Sequence, residues 1–198
     1  HPMADYTALM EAGSALVEML RDNLTPEPLS DRELIALASP HESENSQLTV
    51  YLYHVEEDSP NATSGYYQAD RDLQRVRPAR YTLRYLVTAH SKAPAHMKEA
   101  EQHRILGAAL QVLRDNPIIP QQYLSGSMAE EQSELHLLVE RVPLEQILKI
   151  WNNNSKDYRL SFVVQMTGVT ISSRRERKIT RVTEFTIGTA QRPRGGQS

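Results

Sequence analysis

A strand followed at once by a long amphipathic helix, between Pro78 and Pro117, constrains this chain more than any other stretch. From Arg80 to His90, the residues Tyr81, Leu83, Tyr85, Val87 and Ala89 alternate with Thr82, Arg84, Leu86 and Thr88, the period-two pattern of a half-buried strand. Ser91, Ala93 and Pro94 end it, because proline lacks the N–H that a ladder needs and turns the residue before it away from helix. The spacing then predicts a helix from about Met97 to Asp115. Leu106, Ala109, Leu110 and Leu113 form its stripe, Ile105 and Val112 widen it, and Asn116-Pro117 stops it. Gly107 within the stripe costs about 1 kcal/mol against alanine, so close packing against a neighbouring element is expected there.

The other elements are placed around this pair. Leu9, Ala12, Gly13, Leu16, Val17, Leu20 and Leu24 mark a first helix within residues 4–24, ended by Thr25, Pro26 and Pro28. Leu29 to Ala38 reads as a short strand or a turn of helix. Leu48 to Val55 has apolar or aromatic residues on both faces, which predicts a central strand. Glu56 to Arg77 shows no sustained period and is expected to be a long irregular loop, with Tyr66 and Tyr67 as contact residues, since tyrosines are favoured at protein interfaces. Ile118 to Gln132 reads as a second loop, Leu135 to Val139 as a strand, and Leu144, Ile147, Leu148 and Trp151 as a helix stripe behind Pro143. Trp151, the only tryptophan, is expected to be buried against the sheet. Tyr158 to Met166 and Ile179 to Ile187 read as strands that pair as a hairpin, with Ser172 to Lys178 as its charged tip. These elements imply one α/β (α+β) domain over residues 3–190, with a mixed, largely antiparallel sheet packed by about three helices. The tail 191–198 is expected to be disordered.

Composition excludes several chemistries. The 198-residue chain has no cysteine, hence no disulfide, thiolate nucleophile or zinc–thiolate site. No apolar run approaches the roughly 20 residues of a membrane span, and Met3 leads into an acidic amphipathic segment rather than a secretion signal. An intracellular product is expected. Glu99 and His103, four apart with His96 a turn earlier, read as an exposed acid–histidine pair rather than a metal site, and His54 and His136 as structural strand histidines. The carboxylates at Glu56 to Asp58 and at Glu130, Glu131 and Glu134 lack the apolar flanks that would separate two pKa values for acid–base work. Ser125 lacks the glycines two residues either side that a nucleophile elbow requires. No cofactor, metal or catalytic residue is assigned, and the expectation is a non-enzymatic protein.

Charge is distributed unevenly. From Ile171 onward seven Arg or Lys face two Glu, a balance of +5, whereas the whole chain carries −3. Arg174, Arg175, Arg177, Lys178 and Arg181 therefore form a candidate interaction surface, either for acidic residues of a neighbouring subunit at Glu56 to Asp58 or Glu130 to Glu134, or for nucleic acid. The stretch lacks a recognition helix or stacking platform, which favours the first partner.

Four blocks taken in order, LTVYLYHVEED, PARYTLRYLVTAH, EQHRILGAALQVLRDNPIIP and VPLEQILKIWNNNSKDYRLSFVVQMTGVTI, resemble the tube-terminator or cap proteins of contractile injection systems and phage-tail-like particles. The likeness spans residues 48–171 and rests on packing positions such as His103 to Gly107, the helix ending at Trp151, and Tyr158 to Ser161. The resemblance implies a structural subunit, hexameric in the assembled particle, that closes the baseplate-distal end of an inner tube and contacts tube and sheath subunits. It also implies cytoplasmic assembly followed by release within an extracellular particle.

Overall fold

The computed structural model describes residues 5–59, 65–151 and 158–180. In chain order the elements are α1 (Ala8–Leu24), β1 (Ile35–Leu37), β2 (Leu48–Glu57), β3 (Tyr66–Asp70), β4 (Leu73–Val76), β5 (Ala79–Ala89), α2 (Ala95–Asp115), α3 (Gly126–Glu131), β6 (His136–Glu140), α4 (Leu144–Ile150), β7 (Ser161–Ile171) and β8 (Glu176–Lys178). Five strands form the main sheet in the order β1-β2-β5-β7-β6, and three form a second sheet in the order β3-β4-β8. All main-sheet pairs are antiparallel except β1 with β2. The mixed, largely antiparallel α+β fold expected from the sequence is borne out.

β5 occupies the middle of the main sheet and is buried on both faces rather than half-buried. Leu83, Tyr85, Val87 and Ala89 enter the principal core with Leu16 and Leu20 of α1 and with Ile105, Leu106 and Ala109 of α2. On the opposite face Leu86 packs with Val163 of β7 and with Ile147 and Trp151, which α4 and its C-terminal cap bring over the sheet. The polar residues of that face find partners instead of solvent. Thr88 and Ser161 share a hydrogen bond of 2.8 Å, the Thr82 hydroxyl donates to Asp58 at 2.6 Å, and Arg84 reaches Glu56 at 2.7 Å and Glu140 at 2.9 Å. Alternation alone cannot distinguish a solvated polar face from one closed by partners distant in sequence.

Several expectations need correction. β2 is not fully central, because β1 flanks it only at Leu48 to Val50. In α2 the buried stripe is Ile105, Leu106, Ala109, Val112 and Leu113, turned away from Leu110, which is 39% exposed. Gly107 is exposed, and a side chain there would meet nothing within 4 Å, so no close packing explains it. The segment Ile118 to Gln132 is not irregular: a 3-10 turn at Gln121–Tyr123 leads into α3. Ile179 to Ile187 lies outside the described residues from Arg181 on, as does the tail 191–198. The charged tip itself does not form a turn, since Glu176 to Lys178 forms β8 and pairs with β4. The short strand within Leu29 to Ala38 is β1, preceded by a 3-10 turn at Arg32–Leu34.

Glu11 holds the additional helix in place. α3 has no side-chain cap from Ser125, and the buried Glu11 carboxylate of α1 takes that role from 116 residues away. It accepts from Ser127 N at 3.1 Å, Ser127 Oγ at 2.8 Å and Met128 N at 3.1 Å, and from Thr7 Oγ1 at 2.8 Å. Gly126, at φ +55°, permits the approach, because a Cβ there would lie 2.2 Å from Glu11 Oε1. Burial pushes the Glu11 pKa up, but the hydrogen bonds from Thr7, Ser127 and Met128 outweigh it, so the group sits below the ordinary carboxylate value.

Two measurements check this packing. Trp151→Ala should cost about 3–5 kcal/mol in urea unfolding, because the residue is 1% exposed and seated against Leu86 and Val163. Glu11→Ala should cost about 2 kcal/mol at pH 7, since it strands buried donors. With a lowered folded pKa, the Glu11 contribution is present above the unfolded value and is lost as pH falls through the folded one. Wild type and variant should therefore converge in stability on acidification, and a constant gap from pH 7 down to pH 3 would refute the assignment.

Candidate interaction surface

The long strands β2, β5 and β7 each have one end beside the second sheet. β2 ends at Glu57, Asp58 N donates to Arg80 O at 2.8 Å, and Ala79 of β5 stands opposite Ile171 of β7. Beyond that line β3 and β4 pair as a hairpin across Arg71-Asp72, and β8 joins β4 with Leu73 opposite Lys178 and Arg75 opposite Glu176. Residues 66–76 of the segment expected to be irregular are thus paired strands of a β-arm. Its sequence hides this because Gln68, Asp70, Gln74 and Arg75 interrupt any apolar alternation, and the third strand comes from a hundred residues later.

The arm gathers residues that the sequence singled out separately. The Arg177 guanidinium lies over the Tyr66 ring at 4.1 Å from its centroid, and its Nε donates to Gln74 Oε1 at 2.6 Å. Arg75 and Glu176 pair at 3.6 Å. Tyr67 stands opposite Arg75 in the hairpin. Arg174 lies over Tyr6, 5.7 Å from its ring centroid, and Tyr6 is itself 75% exposed. Arg174, Arg175, Arg177 and Lys178 are all exposed. Arg181, the last candidate, lies outside the described residues. Sequence reasoning missed Tyr6 and the internal stacking of Arg177, since neither has a local signal.

Not one of the twelve residues of β3, β4 and β8 is buried. Main-chain hydrogen bonds and the Arg177–Tyr66 contact hold the arm, with no apolar layer behind it. A small sheet without a packed face is marginal in water.

Elsewhere among the described residues the titratable side chains do not assemble a reaction centre. Among the described residues no group of three His, Asp or Glu is placed to hold a metal ion. Glu99 and His103 are 3.8 Å apart and exposed on α2, as expected. They stand at the rim of a cleft of about 840 Å³ that also contains Trp151, onto which His41 packs edge-on at 5.0 Å between centroids. His54 and His136 are not core residues: each is half exposed beside a glutamate, at 3.9 Å from Glu56 and 2.9 Å from Glu134. The buried histidine is His90, whose Nε2 meets Thr49 Oγ1 at 2.8 Å; burial pushes its pKa down to about 4, so it stays neutral. Ser125 precedes α3 as part of the chain turn there. Among the described residues no helix is long and apolar enough to cross a membrane.

The geometry defines a helix-backed antiparallel sheet with a projecting basic β-arm, a class of domain organised around packing and contact positions. Within that class, the chain belongs to the Pvc16 N-terminal domain family, which matches residues 11–184. The match reaches beyond the residues 48–171 of the sequence likeness, over most of α1 and over β8. The fold is similar to the sheath/tube terminator of the PVC extracellular contractile injection system in its extended state, with a TM-score of 0.65 at 17% identity, covering 96% of this chain and 65% of that one. It is also similar to the tube-terminating cap of the anti-feeding prophage, with a TM-score of 0.56 at 18% identity, covering 88% of this chain and 59% of that one. The chain thus spans somewhat less than two thirds of the length of either. No curated protein sequence matches it.

If the arm is separate from the core, Tyr66→Ala and Arg177→Ala should each change the unfolding free energy by less than about 1 kcal/mol, the range of an exposed cation–π pair. A loss above about 2 kcal/mol in either would place the arm within the cooperative core.

Proposed function

We propose that this chain is a structural, non-enzymatic cap of a contractile injection system. It closes the baseplate-distal end of the inner tube as a ring of copies, six in the assembled particle, and contacts the surrounding sheath. The observation that carries this reading is membership of the Pvc16 N-terminal domain family over residues 11–184, together with a fold shared across 96% of the chain with a sheath/tube terminator. Assembly takes place in the cytoplasm, and the cap leaves the cell only as part of the particle.

In this reading Tyr66, Tyr67, Arg174, Arg175, Arg177, Lys178 and Arg181 serve contacts between subunits. The exposure of the described basic residues supports that role, and so does the absence of a buried layer in the arm, because a marginal sheet gains most from a partner that covers it. Complementary charge sets register and partner choice more than raw affinity. Nucleic acid is the weaker partner. Tyr66 is occupied by Arg177 and Tyr6 lies under Arg174, rather than either ring being open to a base.

Purified chain mixed with tube rings should co-sediment with them and appear in electron micrographs as closed density at one tube end. The triple variant Arg174→Glu, Arg175→Glu, Arg177→Glu should keep its unfolding midpoint yet lose ring formation or capping. Normal capping by this variant, accompanied by loss of a measurable DNA affinity, would transfer the basic surface to nucleic acid. No association of the wild-type chain with tube or sheath would remove the cap reading.

A further inference from the structure

The arm lies at one end of the main sheet, and an acidic groove, bordered by Lys92 through its 3.0 Å hydrogen bond to Asn45, lies at the other. Glu33, Glu42 and Glu44 line a groove of about 710 Å³ together with Ala36, Ala38, Ser43, Asn45 and Ser46. Glu33 belongs to the 3-10 turn that enters the edge strand β1, and Glu42 to the 3-10 turn Pro40–Glu42 that follows it. Gln47 N donates to Leu34 O at 2.8 Å, which fixes this corner beside Leu48, where β2 begins. The arm begins where β2 ends. Ten residues of strand separate the two, about 30 Å at the usual rise.

All three glutamates are exposed, none forms an ion pair among the described residues, and the groove lining contains no Lys or Arg. Most other carboxylates near the arm are committed. Glu56 is bound by Arg84, Asp58 accepts from Thr82, Glu131 accepts from Thr170 at 3.3 Å and Glu134 pairs with His136. These groups also lie on the side of the molecule from which the arm projects, because Glu56, Asp58 and Thr170 sit at the ends of β2 and β7 beside it. They are poorly placed to receive the arm of a neighbour arranged head to tail.

We propose that the basic strand of the arm docks into the Glu33, Glu42 and Glu44 groove of a second copy of this chain. This rests on the ring reading above and names the surfaces that would form the ring. Among the described residues, Arg175 and Lys178 make no side-chain hydrogen bond or ion pair, and β8 pairs with β4 along one edge only. With Arg174 over Tyr6, Arg177 over Tyr66 and Glu176 paired with Arg75, the outward Arg175 and Lys178 carry +2 toward the three groove glutamates, which carry −3. The two surfaces are different and lie at opposite ends of one sheet, so each copy offers an arm to one neighbour and a groove to the other. That is a heterologous contact, which closes into a ring when the rotation permits. Docking also covers the arm, which among the described residues has no buried position.

The cysteine-free sequence makes the test specific. Full-length chain carrying Arg175→Cys and Glu44→Cys, oxidised in the presence of tube rings, should give a ladder of covalent oligomers, and neither single variant should do so beyond the dimer. Glu42→Lys with Glu44→Lys should weaken self-association by about tenfold or more, and adding Arg175→Glu with Lys178→Glu should restore it. All four sites are exposed, so the unfolding midpoints should not move. Wild-type association in the Glu42→Lys, Glu44→Lys variant, or rings that form without the ladder, would overturn the docking assignment and leave the cap reading standing. Absence of any ring from the wild-type chain with tube present would sink both.

Discussion

β5 is paired on both edges and packed on both faces, and the rest of the main sheet and its helices are placed by that double demand. Its edges are taken by β2 and β7, each over nine residue pairs. One face calls for α1 and α2, and the other for α4 with Trp151. Thr82, Arg84 and Thr88 on it are closed by residues distant in sequence, Arg84 most completely, since it joins β2 to β6 through Glu56 and Glu140. The glycine at 168 serves the same sheet. At φ +92° it lets β7 pass the loop before β6, where a Cβ would lie 2.1 Å from the Glu134 carbonyl oxygen, a clash that no side chain avoids.

Elements with a strong period were legible in the sequence. The helix ending at Leu24, the strands around Val50 and Val87, the helix ending at Asp115 and the burial of Trp151 follow from spacing, because a solvent-facing stripe and a core-facing stripe leave a periodic record. What was not legible depends on partners far along the chain. α3 needs Glu11, and no local signal points from residue 127 back to residue 11. The arm was invisible for a related reason: with no buried face it has no apolar alternation, and pairing of Leu73 with Lys178 is a contact that spacing cannot report. Gly107 shows the opposite error, since a glycine in a helix suggested close approach where the structure shows open surface.

Of the candidate surface, the sequence supplied the residue types but not their arrangement. Tyr66 and Arg177 were singled out for different reasons, one as a contact aromatic and the other as part of a charge run, and the fold stacks them. The stacking alters their meaning. Arg177 orders the arm from within, leaving Arg175 and Lys178 as the outward charges. The acidic run at Glu56 to Asp58, attractive as a partner when only composition is considered, is largely consumed at the root of the same arm.

A doubly packed sheet thus carries an arm that has no buried layer of its own and that a covering partner would stabilise. Amide hydrogen exchange read by mass spectrometry on the chain alone and in the presence of tube rings tests this directly. In the free chain, amides of β3, β4 and β8 should exchange far faster than those of β5 and β7, consistent with local opening of a sheet without a core, and in the assembled state they should become protected. Exchange in the free arm as slow as in β5, or arm amides equally fast with and without the assembly, would contradict the account.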